Sequence, residues 1–159
     1  MTGWPLIREG QLLSLTVPKT GMIVSIDIGD FDSVHPANKK AFAQRLALWA
    51  RAEVYGEKIP WSGPLFTGFK VQGSEIELSF RHTDGGMIAK NGDLRGFVIA
   101  GADKQWHAAR ARIAKDKVLV SSPDVKTPVA VRYSWADNPD GNLCNAAGLP
   151  ASPFRTDTD

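Results

Sequence analysis

With 159 residues, 43% of them hydrophobic and 23% charged, the chain has the composition of an ordinary globular protein, enough for one domain or two small ones, and disorder along its whole length is not expected. Its 19 basic and 17 acidic residues leave a formal net charge of +2 with no run longer than Lys39-Lys40, so no nucleic acid and no anionic membrane surface is expected as a partner. The one cysteine, Cys144, excludes an intrachain disulfide and a cysteine-rich metal site, and no stretch approaches the ~20 apolar residues of a membrane span.

Taken in chain order, Trp4 to Leu13 reads as the end of a helix, with Leu6, Ile7 and Leu12 apolar among Arg8, Glu9 and Gln11, and it is too short to fold alone. A Pro18-Lys19-Thr20-Gly21 turn precedes Met22 to Ile28, a β-branched, nearly continuous apolar run that suits a strand buried on both faces of a parallel sheet. The polar loop Gly29 to His35 follows, then Pro36 at a first helical position, and a helix to about Tyr55. Its stripe is Phe42, Leu46, Trp49, Ala50 and Val54, with Gly56 as the C-terminal cap. This is a strand-loop-helix unit.

From about Lys58 the period becomes two. Ile76, Leu78 and Phe80 alternate with Glu75, Glu77 and Ser79, and Val118 alternates with Val120. Val129, Val131, Tyr133 and Trp135 alternate with Ala130, Arg132 and Ser134, so each run predicts a half-buried strand. Asn91-Gly92 and Lys115-Asp116 are hairpin signals. The expected fold is therefore an α/β fragment over residues 1–57 followed by an antiparallel β-sandwich or jelly-roll-like module over 58–159. The Pro-, Asn-, Asp- and Gly-rich stretch from Asp137 to Asp159 is expected to run as an ordered loop over a surface or to fray at its end. One buried strand and its helix do not make a covered sheet, so residues 1–57 read as the last piece of a larger α/β domain.

Functional groups of open α/β sheets gather in loops at the carboxyl ends of strands, and Asp32 and His35 lie in such a loop. Three-residue spacing can bring the Asp carboxylate to His Nδ1 and leave Nε2 free to take a proton; spacing alone equally suits a helix-capping Asp beside a surface His. The wider sequence distinguishes the two. Ile26-Asp27-Ile28-Gly29-Asp30, Asp32-Ser33-Val34-His35-Pro36-Ala37-Asn38-Lys39 and Arg45-Leu46-Ala47-Leu48-Trp49-Ala50 resemble the C-terminal part of bacterial sialate O-acetylesterases, carbohydrate esterases of the SGNH hydrolase type. The resemblance continues through Ser62-Gly63-Pro64-Leu65, Gly101-Ala102-Asp103-Lys104, Val129-Ala130-Val131-Arg132-Tyr133, Trp135-Ala136-Asp137-Asn138-Pro139 and Gly148 to Asp157, covering essentially the whole chain.

The resemblance implies that Asp32 and His35 are the Asp and His of a Ser-His-Asp triad that removes an acetyl ester from a sugar hydroxyl, with no metal and no organic cofactor. The implied partner is an O-acetylated carbohydrate, sialate or an acetylated plant or microbial polysaccharide. The family's Gly-x-Ser nucleophile block and its oxyanion-hole blocks are absent, and none of Ser14, Ser25, Ser33, Ser62, Ser74 or Ser79 sits in a nucleophile turn. The chain is thus expected to be an inactive C-terminal fragment, Met1 being an internal methionine without a signal peptide after it. The N-terminal esterase half would come from the same polypeptide or from a partner chain. Cellular location stays open; the family suggests the periplasm or the exterior if the full-length protein carries a signal peptide.

Other readings remain beside this one. Asp27, Asp30, Asp32 and His35 could bind a divalent ion, although loop and cap roles suit the acids as well. Cys144 lacks a cationic neighbour and reads as a semi-buried structural thiol. His82 and His107 read as surface or satisfied residues. Trp106 shares strand parity with Arg110 and Arg112 and should face away from the core, where it could stack on a sugar or, the favoured reading, pack on the neighbouring domain; Trp61, Phe66 and Phe69 are treated alike. Arg8 and Gln11 could support the active-site loop or serve as ordinary helix surface. A function from another class also fits: a non-catalytic carbohydrate-binding or domain-packing module in which Asp32 and His35 are relics.

Overall fold

A computed structural model describes residues 3–158. Helix α1 spans Trp4–Leu13, with Pro5 in its first turn, and passes into a 3-10 turn at Ser14–Thr16. Helix α2 spans Lys39–Glu53. Its start corrects the expectation at Pro36: Asn38 is the cap, its side-chain oxygen accepting the Ala41 N–H at 3.3 Å. Pro36 instead ends the preceding loop, buried, three residues before the first helical residue. At the other end Gly56 adopts φ +74° and its N–H donates to Ala52 O at 3.1 Å, a left-handed cap open to glycine at little cost.

The run Met22 to Ile28 is not a strand among the described residues. It has no regular secondary structure to Ser25 and then turns, Ile28 N–H donating to Ser25 O at 3.1 Å. A strand needs ladder partners, and every strand pair described is antiparallel and lies in the second part of the chain. The segment is tied instead by Arg45, whose guanidinium donates to Val24 O at 2.5 Å. Trp49 packs its indole flat against Gly21, so closely that a Cβ at Gly21 would overlap the ring. The stripe of α2 has no buried residue: Leu46 is 54% and Val54 63% exposed, and on α1 Leu6 and Ile7 are about equally open at 51% and 50%.

The remainder is ten short strands: β1 Leu65–Gln72, β2 Glu75–Arg81, β3 Met87–Ala89, β4 Phe97–Ala100, β5 Trp106–Ala108, β6 Arg110–Ala114, β7 Lys117–Ser121, β8 Ala130–Tyr133, β9 Leu143–Asn145 and β10 Phe154–Arg155. They form two four-stranded sheets, β1-β2-β7-β6 and β10-β8-β4-β5, and a ribbon of β3 with β9. Period-two patterning explains the core, because Ile76, Leu78, Val118 and Val120 are fully buried from the first sheet while Ile99, Val131 and Tyr133 meet them from the second. Phe66 stacks on Phe154 with centroids 4.4 Å apart and closes one end of that core.

Lys115-Asp116 joins β6 to β7 as the expected two-residue hairpin, with Lys115 at φ 56°. Asn91-Gly92 does form a turn, both residues having positive φ, yet the flanking strands do not pair: β3 pairs with β9, and β4 with β5 and β8. Strand β8 also departs from expectation. Ala130 and Arg132 are 7% exposed alongside the fully buried Val131 and Tyr133, so it is covered on both faces. The outward Arg132 is buried because Trp106 lies over its guanidinium at 4.1 Å and Asp157 pairs with it from the C-terminal stretch.

Candidate active site

The loop from Ile26 to Asn38 is built by its own polar side chains. Asp30 and Ser33 face each other in an antiparallel bridge, the Asp30 carboxylate accepts the Ala37 N–H at 2.9 Å, and the Ser33 hydroxyl accepts the His35 N–H at 3.0 Å. Asp27 is held in a two-point pair by Arg45, both contacts 2.7 Å. Asp27, Asp30 and Ser33 are thus scaffold, and Asp32 and His35 are carried outward, both exposed.

Asp32 lies in the wall of a cleft of about 580 Å³ between α1, the Met22-to-Ile26 segment and the Asp137-to-Pro139 loop. His35 stands beside the cleft rather than in its lining, and no hydrogen bond joins its imidazole to the Asp32 carboxylate among the described residues. The pair share one short loop with the carboxylate and the imidazole both open to an incoming group. Ser25 and Ser33 also line the cleft, and the Ser33 hydroxyl is already engaged. Among the described residues no group of three His, Cys, Asp or Glu could hold a metal ion; Asp27 and Asp30 are engaged as above.

The other candidates fall elsewhere. Trp106 is half-buried and its ring is occupied by Arg132; the parity with Arg110 and Arg112 does not apply, because Trp106 lies in β5 of one sheet and the two arginines in β6 of the other. Cys144 is 2% exposed and burial pushes its thiol pKa up, the opposite of an activated nucleophile. His82 packs edge-on against Trp61 at 4.8 Å, and burial lowers its pKa, with the neighbouring Arg81 charge acting the same way. Gln11 lines the cleft beside Arg8. The wall formed by Asp137, Asn138 and Pro139 was not singled out from the sequence as part of a site; its signals were a cluster of loop formers and its place in the Trp135-to-Pro139 stretch of the family resemblance.

No family model matches the chain. It is 31% identical over 173 residues to the sialate O-acetylesterase of Mus musculus and 30% identical to that of Homo sapiens, in each case over 96% of this chain. It spans about a third of those relatives, 32% and 33% of their length. Among solved structures, a carbohydrate acetylesterase from Xanthomonas citri superposes on 100% of this chain with a TM-score of 0.96 and 45% identity, the chain covering 37% of that protein. The chain is thus akin to carbohydrate acetylesterases. More narrowly, it is related to the sialate O-acetylesterases.

Proposed function

We propose that this chain is the closing part of an SGNH-type carbohydrate acetylesterase: residues 1–57 finish the α/β esterase domain and residues 58–159 form the β-sandwich joined to it. The observation that carries the reading is the likeness, over the whole chain, to an acetylesterase nearly three times as long. Two physical features support it. Met22 to Ser25 is an apolar, β-branched segment that has no ladder partner among the described residues, and α1 exposes Leu6 and Ile7 while α2 exposes Leu46 and Val54, as elements cut from a larger packed sheet would.

In this reading a serine supplied by the remainder of the esterase attacks the acetyl carbonyl carbon while His35 Nε2 takes its proton. Asp32 holds the imidazole through Nδ1 and stabilises its charge, closing onto it once the remaining domain covers the loop. The tetrahedral intermediate collapses, the C–O bond to the sugar breaks, and His35 returns the proton to the departing sugar oxygen. Water then cleaves the acyl-serine with His35 again as base, releasing acetate. The chain by itself carries no serine in a nucleophile turn and is expected to be inactive.

A purely carbohydrate-binding module is less well supported, since Trp106, the ring it would use, is covered by Arg132. The test is hydrolysis of a chromogenic acetate ester. The chain alone should show no turnover above buffer, and an esterase joining it to a nucleophile-bearing segment should be active and lose activity on His35→Ala. Turnover by the chain alone would overturn the absence of a nucleophile, and full activity of the His35→Ala esterase would overturn the triad.

A further inference from the structure

The β-sandwich reaches into the cleft that contains Asp32. Its Asp137-to-Pro139 loop forms one wall, and that loop is fixed at both ends. At the near end, Arg8 of α1 donates to Ala136 O and to Asp137 O, each at 2.7 Å, two charge-assisted bonds spanning 128 and 129 residues of sequence. At the far end, Arg95 Nε donates to Asp140 O at 3.0 Å, and the Asn142 side chain accepts the Arg95 N–H at 3.0 Å while donating to Lys90 O and Asp93 O at 2.8 and 2.9 Å. Next to Arg8, Glu9 makes a two-point pair with Arg155 at 2.9 and 3.0 Å, so consecutive residues of α1 bolt the helix to the sandwich.

The anchoring uses backbone carbonyls on the loop. Asp137 and Asn138, both exposed, line the cleft and bring to it a carboxylate acceptor, which also acts electrostatically on Arg8, and an amide that both donates and accepts. Such a pair suits the vicinal hydroxyls of a sugar, and a loop already pinned loses little entropy on engaging them. We infer that Asp137 and Asn138 are specificity-determining residues that hold the carbohydrate portion of the ester, and that Arg8 is the positioning residue that holds their loop over the cleft. The inference rests on the esterase reading for the identity of the ligand class, not for the geometry of the loop.

The test is a titration of this chain with O-acetylated xylotetraose, followed by NMR at the Asn138 side-chain amide. A saturable shift is expected there, and the affinity, read for every variant by calorimetry, is weakened about tenfold by Asn138→Ala and by Arg8→Ala, while Arg8→Lys, which keeps the charge but not the two-carbonyl fork, weakens it as well. An Asn138 amide that does not respond, or an affinity insensitive to Arg8→Ala in a variant whose amide spectrum remains folded, would overturn the inference. The two readings fail separately: an Asn138 response together with hydrolysis that survives His35→Ala removes the triad and leaves the loop's role standing, and the converse pair of results removes only the loop's role.

Discussion

Asp32 and His35 sit on a loop whose stability is supplied by their neighbours, Asp30 and Ser33, so the two can be altered without unmaking it. Asp32→Asn and His35→Ala, in an esterase that supplies the serine, should each lower kcat on the order of 10³- to 10⁴-fold. In the chain alone, thermal unfolding of the same variants should stay within about 0.5 kcal/mol of the parent because both side chains are exposed. Kinetics and calorimetry on the same variants check this. Tyr133 offers a second residue-scale prediction. Burial pushes its phenol up to about 12, and the Leu143 N–H donates to its oxygen at 3.0 Å. The folded pKa lies above the unfolded one near 10, so the stabilisation is whole below about pH 10 and is lost as pH rises through 12, on the order of 3 kcal/mol in all. Denaturant unfolding at pH 9 and at pH 11.5 should reveal the loss, and Tyr133→Phe should flatten the slope while lowering stability at pH 9 through the lost hydrogen bond.

At the scale of elements, the parts legible in the sequence were those whose partners are present. Ile76, Leu78, Val118 and Val120 alternate and are fully buried, and Leu78→Ala should cost about 2–5 kcal/mol in chemical denaturation. The Lys115-Asp116 hairpin was legible because its turn and both strands are local. Asn91-Gly92 misled because a turn signal fixes the bend and not the partner, and β3 finds β9 some fifty residues later. Met22 to Ile28 misled differently, since composition reports a preference for pairing that the described residues do not fulfil. Burial of Arg132 could not be read from alternation, because it depends on Trp106 and Asp157 arriving from distant sequence. Where α2 meets the chain at Gly21, Gly21→Ala should force the Trp49 indole out of its place. A red-shifted tryptophan emission and a lower Tm, on the order of 1–3 kcal/mol of lost stability, are the expected signs.

For the whole molecule, the sandwich holds a core shared by both sheets, whereas the two helices bury little and leave Leu6, Ile7, Leu46 and Val54 exposed. The Asp-x-x-His motif points to the candidate pair, and the structure places both residues exposed on one short loop. That the Asp137-to-Pro139 loop would line the same cleft was not legible, because it is held there by Arg8 contacts 128 and 129 residues away. The central claim is that these residues complete a serine esterase whose nucleophile lies outside them. It is tested most directly by measuring acetate release from an O-acetylated oligosaccharide with the chain alone, with the chain joined to a nucleophile-bearing esterase segment, and with the joined protein carrying His35→Ala. The expected result is release from the second protein only; release from the chain alone, or undiminished release after His35→Ala, would contradict it.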